Sequence, residues 1–205
     1  MLKIGLTGGI ASGKTRISNL FSQLKTPIID TDIISREILE PGQPGYLAIL
    51  NHFGSSIILD HAQIDRRKLR QLIFNDSTEK QWLESMLHPI IFKRAQQLIG
   101  RHNNATFVIV VIPLLFETNF SELVDRVLVV DCGADTQIKR LLLRDRIDTA
   151  LAQKMVDQQW PNQNRINRAD DIICNNNDGD LDDQVMALHG KYLALSNQSQ
   201  FIPPT

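Results

Sequence analysis

Apolar positions along this chain fall into two kinds of pattern, and their order predicts the fold. Continuous apolar runs at residues 3–7, 26–29, 106–112 and 126–130 predict strands of a parallel sheet buried on both faces. A shorter run, Asp171–Cys174, predicts a fifth strand. Between most of them the apolar positions recur at helical spacing, at residues 14–24, 135–145 and 181–195. Strands alternating with helices in this way predict a doubly wound α/β core.

The long stretch 31–105 breaks that alternation. It carries helical periodicity at 35–39, 67–74, 79–86 and 90–99, with turn signals at the PGQPG of 41–45 and at His88-Pro89. About 75 residues is far more than a βα crossover needs, so a helical insertion over the carboxyl ends of the strands is expected. Residues 148–168, rich in Gln, Asn and Arg, predict a second helical segment, less buried than its neighbours and suited to a lid. Residues 196–205, with Pro203 and Pro204, read as a frayed tail.

The first strand leads directly into candidate chemistry. Gly8, Gly13, Lys14 and Thr15 stand at the fixed positions of G-x-x-x-x-G-K-T, between a buried strand and a helix start. Free backbone N–H groups and the positive end of the helix dipole would face phosphates there. Lys14 would reach the β- and γ-phosphates, and the Thr15 hydroxyl would hold Mg²⁺. This predicts a nucleoside triphosphate site.

Composition narrows the partners. Of 205 residues 42% are apolar, which permits a full core, and the net charge of −1 supplies no global basic field for nucleic acid. Cys132 and Cys174 suggest no disulfide framework; both end apolar runs and read as small buried side chains in a reducing compartment. With no apolar stretch of transmembrane length and no leader pattern, a cytoplasmic location is expected.

Asp30 and Asp32 follow the second strand, which is expected to lie beside the phosphate loop. A carboxylate there could accept a hydroxyl proton or hold Mg²⁺ through water, whereas Asp32 could equally cap a helix over 33–39. Lys139, Arg140, Arg144 and Arg146 lie on one predicted helix, with Arg140 and Arg144 sharing a face. Arg165 and Arg168 end the predicted lid, and the Pro-Leu-Leu-Phe-Glu of 113–117 follows the third strand as a candidate crevice wall.

Taken together, IGLTGGIASGKT, IIDTDIISRE, IDRRKLRQLIF, LHPII, VIPLLFE, VLVVD, TQIKRLLLRD and ADDIICNN make the chain resemble the dephospho-coenzyme A kinase family from residue 2 to about 195. Two departures stand out: Ala11 where the family usually has Gly, and a Gly after the last strand displaced to Gly179.

The resemblance implies a P-loop NTPase-type α/β fold with a parallel five-stranded sheet. Residues 1–30, 106–147 and 169–205 would form the nucleotide-binding core, 31–105 a helical acceptor-binding insertion and 148–168 the lid. It implies ATP and dephospho-CoA as substrates, with Mg²⁺, and phosphorylation of the ribose 3′-hydroxyl in the last step of coenzyme A synthesis. Asp32 would be the general base, with Lys14 and Arg140 stabilising the transferring phosphoryl group. Gly8, Ala11, Ser12, Gly13, Lys14, Thr15, Arg16 and Arg144 would bind ATP, and Thr15 the metal. Another small-molecule P-loop kinase, or a nucleotide-binding module without turnover, stay open as alternatives, and so does the oligomeric state.

Overall fold

β-Branched side chains that alternate across a pleat, buried on both faces, build the sheet. The structure, a computed structural model, describes residues 1–176 and 180–199. In chain order the elements are β1 (Leu2–Gly8), α1 (Lys14–Gln23), β2 (Ile28–Asp30), α2 (Thr31–Glu37), α3 (Pro44–Phe53), α4 (Arg66–Asn75) and α5 (Ser77–Gly100). Then follow β3 (Phe107–Val111), β4 (Arg126–Asp131), α6 (Ala134–Asp145), α7 (Thr149–Asp157), α8 (Asn162–Ile166), β5 (Asp171–Cys174) and α9 (Leu181–Ser199). The chain divides into two compact units, one of Met1–Asp30 with Ile99–Thr205, the other of Thr31–Leu98.

The first unit holds all five strands, parallel and in the order β2-β3-β1-β4-β5. Leu6 of β1 pairs with Val111 on one side and Leu128 on the other. Ile4, Leu6, Ile109 and Leu128 are fully buried against Ile17 and Phe21 of α1 and Tyr192 of α9. The expectation that β2 lies beside the phosphate loop is corrected here. β2 pairs only with β3, which stands between it and β1, so the segment flanking β1 on that side is the one after Val111.

In the second unit, Tyr46, Ile49, Ile57, Ile64, Leu69 and Leu83 form a separate core. Two readings change. The PGQPG of 41–45 turns only at 41–43, and its Pro44 and Gly45 already open α3, with Pro44 at the first turn, where a missing N–H costs nothing. α5 continues through Pro89 rather than breaking there. The carbonyl that Pro89 leaves without its helical donor belongs to Ser85, and both residues are exposed, so water can satisfy it.

The segment 148–168 is two helices, α7 and α8, separated at Pro161, and it is not uniformly exposed: Ala152 and Arg165 are buried. Cys132 is buried as expected, but Cys174 is exposed, because β5 is an edge strand whose side chains alternate between core and solvent. Residues 196–199, read as tail, belong to α9, and the Ser196 hydroxyl donates to the Thr106 carbonyl at 2.7 Å. Gly179 and residues 200–205 lie outside the described residues.

Candidate active site

Residues 9–13 connect β1 to α1 in a turn that the rest of the first unit holds in place. Gly13 takes φ +100, and a Cβ there would collide with the Asn175 side-chain amide, so glycine is required twice over. Ala11 also adopts the left-handed region, with φ 53, which costs a non-glycine residue about 1 kcal/mol. The helix after Gly13 opens without a side-chain cap, and a helix N-terminus of this kind favours an anion.

Lys14 curls back over this turn, its ammonium donating to the carbonyls of Gly8 at 2.8 Å and Gly9 at 2.9 Å. Arg140 on α6 reaches the same turn from the other side. Its Nη1 donates to the Ser12 carbonyl at 3.2 Å and the Ala11 carbonyl at 3.4 Å, and its Nη2 to the Asn175 carbonyl at 3.0 Å. Nη1 also lies 3.5 Å from the Cys132 sulfur; burial pushes that thiol up and keeps it neutral, although Arg140 opposes the shift. These partners carry no negative charge, so they leave the cation of Arg140 uncompensated beside the turn.

Gly8 ends β1, while Ala11, Ser12, Gly13, Lys14, Thr15 and Arg16 lie on the turn or the first turn of α1, with Thr15 and Arg16 exposed, and Arg140 is brought to the turn. Arg144, one helical turn on, pairs with Asp145 through two bonds of 2.7 and 2.8 Å, a pair that holds the Asp145 carboxyl low. Asp30 ends β2, while Asp32 is the second residue of α2, inside the first turn rather than at a cap.

Several residues that sequence reasoning did not single out complete the turn. Asn175 is buried and its amide donates to the Ser12 carbonyl at 2.7 Å. Gln137 donates to the Ile10 carbonyl at 2.8 Å, and Gln159 accepts from the Ile10 N–H at 2.6 Å. Asn162 donates to Asp131 at the carboxyl end of β4, 2.7 Å away. Only Asn175 carried a signal, its place directly after the last strand.

Arg165 is 2% exposed; its Nη1 donates to the Trp160 carbonyl at 2.7 Å and its Nη2 lies 3.6 Å from Glu117. Burial lowers this guanidinium's pKa, and Glu117 partly restores it. Trp160 stacks on Phe116 with the Arg168 guanidinium 4.8 Å from its ring centroid, so Phe116 packs against the segment 148–168.

In the second unit, α2, α3 and α5 border a cavity of about 870 Å³ lined by apolar Ile38, Pro44 and Ile90 together with Glu37, Lys93 and Arg94. Lys68, from the basic run on α4, donates to the Ser56 carbonyl at 2.6 Å, and Arg66 lies 3.6 Å from Glu40.

Comparisons with known proteins match nearly the whole chain. A family model described as dephospho-CoA kinase matches residues 2–182. A dephospho-CoA kinase of Vibrio parahaemolyticus is 46% identical over 200 residues, covering 97% of this chain and 98% of the relative. One of Shewanella oneidensis is 42% identical over 196 residues, covering 94% of each. A Thermus thermophilus crystal structure superposes with a TM-score of 0.80 at 25% identity, covering 95% of this chain and 97% of that one.

Proposed function

The chain belongs to the dephospho-CoA kinase family, and from that premise we propose that it moves the γ-phosphoryl group of ATP to the ribose 3′-hydroxyl of dephospho-CoA. The products are CoA and ADP, and the step is the last of coenzyme A synthesis. The observation that carries this reading is the family match over residues 2–182, which encloses both the phosphate loop and the helical unit.

Residues 8–16 cradle the ATP phosphates, with backbone N–H groups of the loop and α1 as donors. Lys14 exchanges the carbonyls of Gly8 and Gly9 for phosphate oxygens, gaining charge-assisted bonds in place of neutral ones. Arg140, held by Ser12 and Asn175, adds positive charge at a fixed place, so little reorganisation is needed as charge develops. Arg144 serves the nucleotide only by giving up Asp145.

Asp32 accepts the proton of the 3′-hydroxyl as its oxygen bonds to the γ-phosphorus and the bond to the bridging β,γ-oxygen breaks. Residues 31–105 bind the acceptor, a role supported by the mixed apolar and charged cavity between α2, α3 and α5. Residues 148–168 act as the lid that keeps water from the transferring group.

Mg²⁺ suits the donors present. The exposed Thr15 hydroxyl is a hard oxygen ligand, and no group of three or more His, Cys, Asp or Glu able to hold a metal occurs among the described residues. Mg²⁺ takes most of its ligands from phosphates and water, so one protein hydroxyl is enough. When bound it neutralises charge on the β- and γ-phosphates. Two free cysteines suit a reducing compartment, and we assign the protein to the cytoplasm.

ADP release measured against a panel of acceptors tests this reading. Release dependent on dephospho-CoA, and weak with nucleosides, nucleoside monophosphates or sugar acids, is expected. Faster release with another acceptor would move the chain to a different small-molecule kinase, and none at all would make it a binding module.

A further inference from the structure

The Ile10 peptide is gripped from both sides. Its carbonyl accepts from Gln137 of α6 at 2.8 Å, and its N–H donates to Gln159, in the link between α7 and α8, at 2.6 Å. Gln137 is 5% exposed, and Gly9 makes room for it: a Cβ on Gly9 would run into the Gln137 amide and sit 3.5 Å from the Gln159 oxygen. The lid is therefore joined to the phosphate loop through an acceptor that carries no charge.

The next residue continues the path. The Trp160 carbonyl accepts from Arg165 Nη1 at 2.7 Å, and Arg165 Nε and Nη2, though buried, have no hydrogen-bond partner among the described residues. Glu117, 3.6 Å from Nη2, pairs with the charge of the guanidinium but lies too far for a hydrogen bond. Unspent donors on a buried cation are costly, and a second anion beside Glu117 would satisfy them. On a segment docked to a phosphate loop, a phosphoryl group is the anion that fits.

We infer that Gln159 is a positioning residue: by accepting the Ile10 N–H it docks the lid link on the phosphate loop and holds Arg165 with Nε and Nη2 directed to the phosphoryl group in transfer. The inference rests on the functional reading above. It also explains the choice of side chain. A glutamate would accept the same N–H, but its charge would repel the phosphates that the loop gathers.

The test compares wild type, Gln159→Ala and Gln159→Glu by ADP release with dephospho-CoA and by tryptic cleavage after Lys154 in the ligand-free chain. Gln159→Ala is expected to lower kcat at least about tenfold with KM for ATP moved less than about threefold, because a misplaced Arg165 is a transition-state loss. Its Lys154 cleavage should be faster. Gln159→Glu should keep the slow cleavage of wild type while raising KM for ATP by about tenfold. Wild-type kcat in Gln159→Ala, or the same kcat and KM changes in both variants, would overturn the inference. Should Gln159→Ala fail to fold, the split between cleavage and KM in Gln159→Glu still decides it. A wild-type chain that releases no ADP would overturn the functional reading alone; the cleavage rates then decide the docking, and equal rates in wild type and Gln159→Ala would overturn it.

Discussion

The Asn175 amide donates to the Ser12 carbonyl at 2.7 Å, tying the end of β5 to the phosphate loop across the carboxyl edge of the sheet. The same side chain occupies the space over Gly13 and accepts from Arg140 at 3.3 Å. Asn175→Ala removes a buried partner from both, so a stability loss of about 1–3 kcal/mol is expected. A thermal melt without ligand checks it, and KM for ATP should rise as the loop loosens.

Lys14 is expected to matter to the reaction and not to the fold. Its side chain is only half-buried, and its bonds to the Gly8 and Gly9 carbonyls join neutral acceptors. Lys14→Ala should cost roughly 3 kcal/mol of transition-state stabilisation. The melting temperature without ligand should barely move.

Asp171 gives a pH dependence. It is buried at the start of β5 between Arg126, at 2.8 Å, and Lys191, with the Tyr192 hydroxyl donating to it at 3.2 Å. Burial alone would raise its carboxyl pKa, but the Arg126 and Lys191 pairs outweigh it and the net shift is downward. A carboxylate held lower in the folded than in the unfolded chain contributes stability above the unfolded pKa and loses it as pH falls through the folded one. Asp171→Asn should therefore cost about 2 kcal/mol at pH 7 and flatten the loss of stability below about pH 4. Melts between neutral and acid pH measure both.

Asp32→Asn keeps the size of the side chain and removes the base. Asp32 is the carboxylate of the first turn of α2, where the helix dipole favours it, so the melt should report a loss of no more than about 1 kcal/mol. Turnover should fall at least about a hundredfold with KM for ATP little altered. Asp30→Asn should do less. The reverse order would exchange their roles.

Most of the sheet was legible because β1, β3 and β4 are continuous apolar runs, and the loop because its spacing is rigid. The edge position of β2 was not, since chain order does not say that β3 inserts between β2 and β1. α5 was misread at Pro89 because a proline signals a break, whereas packing on both sides of an exposed carbonyl keeps the helix whole. Gln137, Gln159 and Asn175 escaped notice for a different reason. A single neutral amide leaves no period and no charge pattern, and its partner lies more than a hundred residues away along the chain.

The claim that this chain phosphorylates a ribose 3′-hydroxyl is tested most directly by where the phosphate goes. Wild type incubated with ATP and dephospho-CoA, followed by ³¹P NMR of the product, should show a new phosphomonoester at the ribose 3′ position, formed one for one with ADP. ADP accompanied by inorganic phosphate alone, or a phosphomonoester at any other hydroxyl, would contradict it.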